Sequence, residues 1–140
     1  IKTFTISSDG TSITEVASLE HDGSRGDEST IVQVDADTYV LAYTGPSEDG
    51  YIATFTISAD GTSITEVASL EHDTDYGTYN SIVQVDADTY ALAYTGTGFD
   101  GFIKTFTISS DGTTITEVAS LEHDGTRGTY NSIDIGEAST

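Results

Sequence analysis

ITEVASLEHD occurs three times in the chain, at residues 13–22, 64–73 and 115–124, and each copy lies 51 residues after the previous one. The flanking residues repeat as well, because 37 of the first 51 positions are identical in the next 51. The third copy covers about three-quarters of a unit. A strict period of this length predicts a row of similar modules, each of which buries a face against the next.

Each unit opens with a predicted β-hairpin. IKTFTIS (1–7) alternates with a period of two and is rich in β-branched and aromatic residues, which indicates a strand. Asp9-Gly10 follows, and we expect a type I′ turn there, because Asp-Gly suits the positive φ angles that both central positions of this turn require. The returning strand is SITEVASLE (12–20).

A second hairpin is predicted to complete the unit. The polar segment HDGSRGDES (21–29) contains two glycines and is predicted to be a loop. TIVQVDADTYVLAYTG (30–45) is predicted to form two strands around a turn at residues 35–38, since Asp side chains bond readily to nearby backbone groups. Both strands are apolar on both faces, which is typical of strands that are buried on both sides. No segment shows a helical period.

An all-β fold follows, and the architecture that we favour is a β-propeller with 51-residue blades of four antiparallel strands. An open β-solenoid or a row of small sheets is the alternative. This phasing predicts a half blade of two outer strands at 1–22, blades at 29–73 and 80–124, and a leftover strand and tail at 131–140. Two or three blades cannot close a ring, so oligomerisation or a longer chain would complete it. We expect two chains to form a ring of about six blades, with the strand around Ser132–Ile135 completing the partner's half blade.

The charge limits the classes of partner. The chain has 24 acidic residues against four basic ones, a formal net charge of −20. Nucleic acid is disfavoured because its binding depends on Lys and Arg neutralising phosphates, and anionic membrane surfaces are disfavoured for the same reason. No apolar run approaches the ~18 residues of a membrane span, so membrane insertion is not expected. The richness in Thr, Ser, Asp and Gly favours an extracellular location, or one on a cell or virion surface.

Histidines and paired aspartates are the candidate sites for chemistry. The histidines are His21, His72 and His123, each within Glu-His-Asp, and we interpret them as surface strand ends rather than metal ligands. A catalytic triad is disfavoured because a catalytic centre is usually unique and these residues are triplicated, so we predict no enzyme activity and no catalytic residues. Calcium is the one cofactor considered, because its oxygen ligands could come from paired carboxylates on two turns. These are Asp35, Asp37, Asp86 and Asp88, and the alternative is that they are ordinary turn residues.

The crossover segments supply the candidate ligand-binding residues. The copies differ mainly after the histidine, where they read GSRGDEST (23–30), TDYGTYNS (74–81) and GTRGTYNS (125–132). Variable loops on a constant frame are where binding surfaces usually lie. Side chains that offer stacking faces and hydrogen bonds suited to a sugar are Tyr76, Tyr79, Asn80, Arg127, Tyr130 and Asn131.

The strand NSIVQVDAD (80–88), the strand TYALAYTG (89–96) and the hairpin DGFIKTFTISSDG (100–112) resemble tandem-repeat β-propeller proteins of bacterial, archaeal or phage surfaces. The resemblance implies a scaffold for adhesion, glycan binding or assembly, and it carries no catalytic residues. We therefore expect a non-enzymatic extracellular module that binds a glycan or another surface ligand. The alternatives are a structural element of a fibre or surface layer, and a calcium-stabilised adhesin segment.

Overall fold

The computed structural model describes residues 1–136, and this part of the chain forms ten β-strands and no α-helix. The strands are β1 (Lys2–Ile6), β2 (Ile13–Ser18), β3 (Asp27–Gln33), β4 (Thr38–Thr44), β5 (Gly50–Ile57), β6 (Ile64–Asp73), β7 (Thr78–Gln84), β8 (Thr89–Thr95), β9 (Gly101–Ile108) and β10 (Ile115–Asp124). Short 3₁₀ turns at Pro46–Glu48 and Thr97–Phe99 join β4 to β5 and β8 to β9. The prediction of an all-β fold is confirmed.

The strands form three antiparallel sheets in chain order. Sheet A is the hairpin β1–β2, sheet B is β3–β4–β5–β6, and sheet C is β7–β8–β9–β10. Neighbouring strands in each sheet are also neighbours in the sequence, so every connection within a sheet is a hairpin. The repeat therefore sets the period of the sheets.

Sheet B is packed between the other two sheets, and β4 shows how. Val40 and Ala42 belong to a core cluster shared with sheet C, whereas Leu41 and Tyr43 belong to a second cluster, against which Ile1 and Leu19 pack from the ends of sheet A. Alternate side chains of a strand point to opposite faces, so β4 is buried on both. The expectation of burial on both sides does not hold for β3, where Ile31 is 47% exposed. Sheet A has two strands rather than four, so the face of sheet B that is turned toward sheet A is covered by fewer strands than the face turned toward sheet C.

The Asp-Gly turns join the strands as expected, but the predicted type I′ geometry is wrong. Gly10 has a φ of 72°, whereas Asp9 is not among the residues with positive φ. The Gly10 amide donates to the Ser7 carbonyl at 2.9 Å, as in a longer loop that ends in one left-handed glycine. The Asp9 carboxylate accepts hydrogen bonds from the Ser7 hydroxyl and from the hydroxyl and amide of Thr11, which lowers the Asp9 pKa to about 2. These side-chain bonds favour the observed turn.

The same hydrogen bond joins successive sheets. The Thr3 hydroxyl donates to the Gly61 carbonyl at 2.6 Å, and the Thr54 hydroxyl donates to the Gly112 carbonyl at the same distance. Each bond runs from the third residue of one 51-residue unit to the Asp-Gly turn of the next sheet. The sheets are therefore related by one recurring interface.

Residues 131–136, for which the sequence predicts a further strand, have no strand pairing. The Ile133 amide donates to the Ser81 hydroxyl at 3.2 Å, so this segment contacts β7 of its own chain. The remainder of the predicted strand and tail (131–140), residues 137–140, lies outside the described residues. Across residues 1–136, no helix has the length and apolar character that a membrane span requires.

Candidate functional site

The crossovers and the 3₁₀ turns meet at one end of the sheets, which we call the loop end. The Gly77 amide donates to the Glu48 carbonyl, and the equivalent Gly128 amide donates to the Phe99 carbonyl, both at 2.8 Å. These bonds hold each crossover against the turn of the sheet before it. The variable crossovers and the turns therefore form a continuous surface.

Tyr76 and Phe99 form an aromatic pair at the loop end. Their ring centroids are 5.5 Å apart and their planes meet at 74°, an edge-to-face arrangement. Together with Asp75, Thr97 and Gly98 they line a cavity of about 390 Å³, which we call the aromatic notch. The Phe99 side chain is 55% exposed, and its φ of 66° is uncommon for a bulky residue. A strained backbone that presents an apolar ring to solvent is a candidate for binding.

The equivalent positions of the preceding unit carry charges instead of rings. Arg25 corresponds to Tyr76 and Glu48 to Phe99, and Arg25 Nη1 lies 3.2 Å from Glu48 Oε1. Hydrogen bonds from Arg25 to Asp27 and Glu48 raise the Arg25 pKa. Each pair joins a crossover to the 3₁₀ turn of the sheet that follows it. The backbone arrangement is therefore the same in the two units, while the surface contact changes from an ion pair to an aromatic pair.

Arg127 lies on the other side of Phe99. A second cavity, of about 340 Å³, is lined by Gly98, Phe99, Thr126 and Arg127. The Arg127 amide donates to the Asp124 carboxylate, and with the Thr126 amide it lowers the Asp124 pKa. Phe99 thus separates two cavities, one beside Asp75 and the other beside Arg127.

Tyr79 and Tyr130 form a separate group, in which equivalent residues of successive units contact one another. Their ring centroids are 4.3 Å apart, and the Tyr79 amide donates to the carboxylate of the equivalent residue Glu28 at 2.8 Å. All three residues have positive φ angles, between 50° and 57°. The neighbouring Tyr130 hydroxyl is the main cause that raises the Tyr79 pKa to about 12. A cavity of about 380 Å³ is bordered by Glu28, Ser29, Tyr79, Asn80, Tyr130 and Asn131.

Asn80 and Asn131 use their amide donors inside the protein. Asn80 Nδ2 donates to the Gly77 carbonyl at 3.0 Å, and Asn131 Nδ2 donates to the Gly128 carbonyl at the same distance. Asn80 is 8% exposed. Both asparagines therefore hold a crossover in place. The structure thus divides the six predicted ligand-binding residues into the Tyr76–Arg127 region, the Tyr79–Tyr130 pair, and two asparagines that support the crossovers.

The predicted calcium ligands lie in the turns at the opposite end of the strands. The Asp35 and Asp86 carboxylates accept hydrogen bonds from the amides of Ala36 and Ala87, and the Asp37 and Asp88 carboxylates accept from the hydroxyls of Thr38 and Thr89. Within residues 1–136, no three His, Asp or Glu side chains gather as a metal site would require. The calcium site stays a prediction.

The histidines differ in burial, and the interpretation as surface strand ends is wrong for His72. His123 is exposed, but His72 is 4% exposed and its ring meets Tyr94 edge-on at 4.8 Å. A Cβ atom added at Gly50 would lie 2.3 Å from His72 Cε1, so this glycine makes room for the ring. Burial, and then the charge of Lys104, lowers the His72 pKa to about 3. His72 therefore packs in the interior as a neutral ring.

Sequence reasoning missed Phe99 and Glu28. The signal for Phe99 was a second block of differences between copies, PSE at 46–48 against TGF at 97–99. Glu28 lies within a variable crossover, but its carboxylate contact with the next unit depends on how the sheets pack.

The sequence matches no protein-family model, and no similar sequence was found among curated proteins.

Proposed function

We propose that the protein is a non-enzymatic, extracellular binding module of the β-propeller type, and that the aromatic notch binds a glycan. The location is a proposal from composition, on a cell or virion surface or in the extracellular medium. The ring of about six blades from two chains is part of the same proposal.

The propeller assignment is supported by how the sheets follow one another. Sheets B and C each have four antiparallel strands, and a recurring Thr-to-Gly hydrogen bond joins each sheet to the next. Blades of a propeller pack face to face in this way around an axis. A structure of the assembled particle tests this point, because an open row of sheets has no common axis.

The observation that carries the binding proposal is the position of Phe99. An exposed ring stands between two cavities, with Asp75 and Thr97 on one side and Arg127 on the other. Binding sites combine apolar surface with a few convergent polar groups that fix the orientation of the ligand. A pyranose ring can stack on the aromatic face while its hydroxyls bond to the polar side chains. The net charge of −20 favours neutral glycans over sialylated or sulfated ones.

A glycan array with three proteins tests the proposal. We expect the wild type to bind a group of neutral glycans and F99A to lose at least tenfold in affinity. R25A is the matched control, because it changes the equivalent crossover of the unit that carries an ion pair instead of rings, and we expect its affinity to stay within twofold of the wild type. Wild-type signals at background, or equal binding by F99A, would contradict the proposal.

A further inference from the structure

The hairpin β1–β2 exposes an apolar face. Phe4, Ile6 and Ile13 are 51%, 65% and 68% exposed. In the third unit the residues equivalent to Phe4 and Ile6 are Phe106 and Ile108, which are 0% and 1% exposed. The hairpin face that is buried in sheet C is therefore exposed to solvent in sheet A.

The hairpin β9–β10 shows what covers this face when it is buried. Residues 1–23 and 103–125 differ at one position, Ser12 against Thr114, so the two hairpins have nearly identical side chains. Phe106 and Ile108 pack in the core cluster that includes Ile52 of sheet B. Two polar contacts accompany this packing. The Lys104 ammonium group donates to the His72 carbonyl, and the Thr54 hydroxyl donates to the Gly112 carbonyl at 2.6 Å.

Sheet C has the matching face on its far side. The side of β5–β6 that turns toward sheet C carries Ile52, Thr54, Ala68 and Leu70. The equivalent residues of β9–β10 are of the same four types, namely Ile103, Thr105, Ala119 and Leu121. Leu70 packs against the core, whereas Leu121 is 62% exposed. The segment after β10 contacts Ser81 of β7, which is at the other edge of the sheet from β10.

We propose that these two faces bind each other between copies of the chain, so that β1–β2 of one copy docks on β9–β10 of a second copy. In this contact Ile103, Thr105, Ala119 and Leu121 take the places that Ile52, Thr54, Ala68 and Leu70 have in the packing of β9–β10 on β5–β6. The Lys2 ammonium group then donates to the His123 carbonyl of the second copy, as Lys104 does to the His72 carbonyl. The Thr105 hydroxyl of the second copy donates to the Gly10 carbonyl, as Thr54 does to Gly112.

The partner is a second copy because this chain carries both halves of an interface that already forms within it. The two faces differ, so the contact is head-to-tail, and it produces a closed ring or an open chain according to the rotation between copies. Each copy carries 20 net negative charges, so salt strengthens the contact by screening the repulsion. The proposal is independent of glycan binding at the loop end.

Sedimentation velocity over a wide range of protein concentration, in buffer with added salt, tests the proposal. We expect the wild type to associate, and F4E and L121E each to weaken association at least tenfold, because each variant puts a charge into one face. Each site is already exposed, so both variants should keep the wild-type circular dichroism spectrum. S24E is the matched control, since it adds the same charge on an exposed loop, and we expect it to associate like the wild type.

Mixing the two variants separates this contact from other modes of association. F4E keeps an intact β9–β10 face and L121E keeps an intact β1–β2 face, so the mixture should form a one-to-one dimer and nothing larger. A wild-type chain that stays monomeric would overturn the proposal and would leave these faces to a different occupant, such as another protein. Association of F4E or L121E alone at wild-type strength would also overturn it.

Discussion

The first and third units contain almost the same hairpin in two different environments. β1–β2 and β9–β10 share their strand sequences, their Asp-Gly turns and the hydrogen bonds around the turn carboxylate. Phe106 is nevertheless fully buried while Phe4 is half exposed. The local sequence therefore determines the shape of the hairpin, and the neighbouring sheet determines how much each residue contributes to stability.

The largest expected difference between the copies is at these two phenylalanines. We predict that F106A lowers the free energy of unfolding by about 3–5 kcal/mol, because it removes a fully buried ring and leaves a cavity. The matched variant F4A should change it by less than about 0.5 kcal/mol when the protein is dilute, since surface substitutions usually have small effects. Urea unfolding of both variants measures the difference, and equal losses would mean that the two hairpins are packed alike.

A smaller difference is expected at the glycines of the crossovers. A Cβ atom at Gly77 would lie 2.3 Å from the Cα of Gly50, and backbone cannot move aside easily. We predict that G77A costs about 1–3 kcal/mol, as overpacking usually does. At the equivalent Gly26 the obstacle is the side chain of His21, which can rotate away. G26A should therefore cost less than G77A in the same urea measurement, and the reverse order would contradict this account.

Among the three equivalent histidines, we expect the buried His72 to make the largest contribution to the loss of stability in acid. The folded-state pKa of His72 is about 3, below the ~6.5 of an unfolded chain, so the unfolded state binds more protons between these values. Stability is then lost as the pH falls below 6.5, by up to about 1.4 kcal/mol per pH unit. H72F removes this proton uptake, and we predict a shallower dependence of unfolding free energy on pH between those two values.

H21F is the control for that prediction. Burial lowers the pKa of His21 as well, but its ring is only half buried. The slope with pH should change less in H21F than in H72F. Because the slope is compared rather than the stability itself, any difference in packing between Phe and His does not affect the result. An unchanged slope in H72F would show that another group causes the acid sensitivity.

The smallest effect concerns the hydrogen bond that joins sheets. T54V removes the donor to the buried Gly112 carbonyl, and we predict a loss of about 1 kcal/mol. Thr105 is the equivalent residue on the outer face of sheet C, and T105V should be nearly neutral in a dilute sample. Thermal unfolding of both variants provides the test, and a larger loss in T105V would contradict the assigned roles.

Much of the fold could be predicted from the sequence, because the repeat and the alternation of strands are local patterns. The Asp-Gly turns were placed correctly but given the wrong geometry, since the hydrogen bonds of Ser7 and Thr11 to Asp9 favour a different loop. The burial of His72 could not be predicted from Glu-His-Asp alone, because the same three residues are exposed in the third unit. Burial here depends on what packs against the strand.

The candidate site was predictable only in part. The differences between copies pointed to Tyr76 and Arg127, which lie on the two sides of Phe99, and the same test would have found Phe99 at the turn. The roles of the asparagines were not visible in the sequence, because their partners Gly77 and Gly128 matter only when the crossover folds back on itself. Distances between units determined which residues share a cavity.

The Thr-to-Gly hydrogen bond spans 58 residues each time it occurs, from Thr3 to Gly61 and from Thr54 to Gly112. The sequence separation between threonine and glycine is the same at each contact between sheets. Duplication or loss of the gene segment that encodes one 51-residue unit therefore leaves every remaining contact with both its threonine and its glycine. A protein built in this way can change in length by whole units without any compensating substitution, whereas a deletion of part of a unit separates a threonine from its glycine.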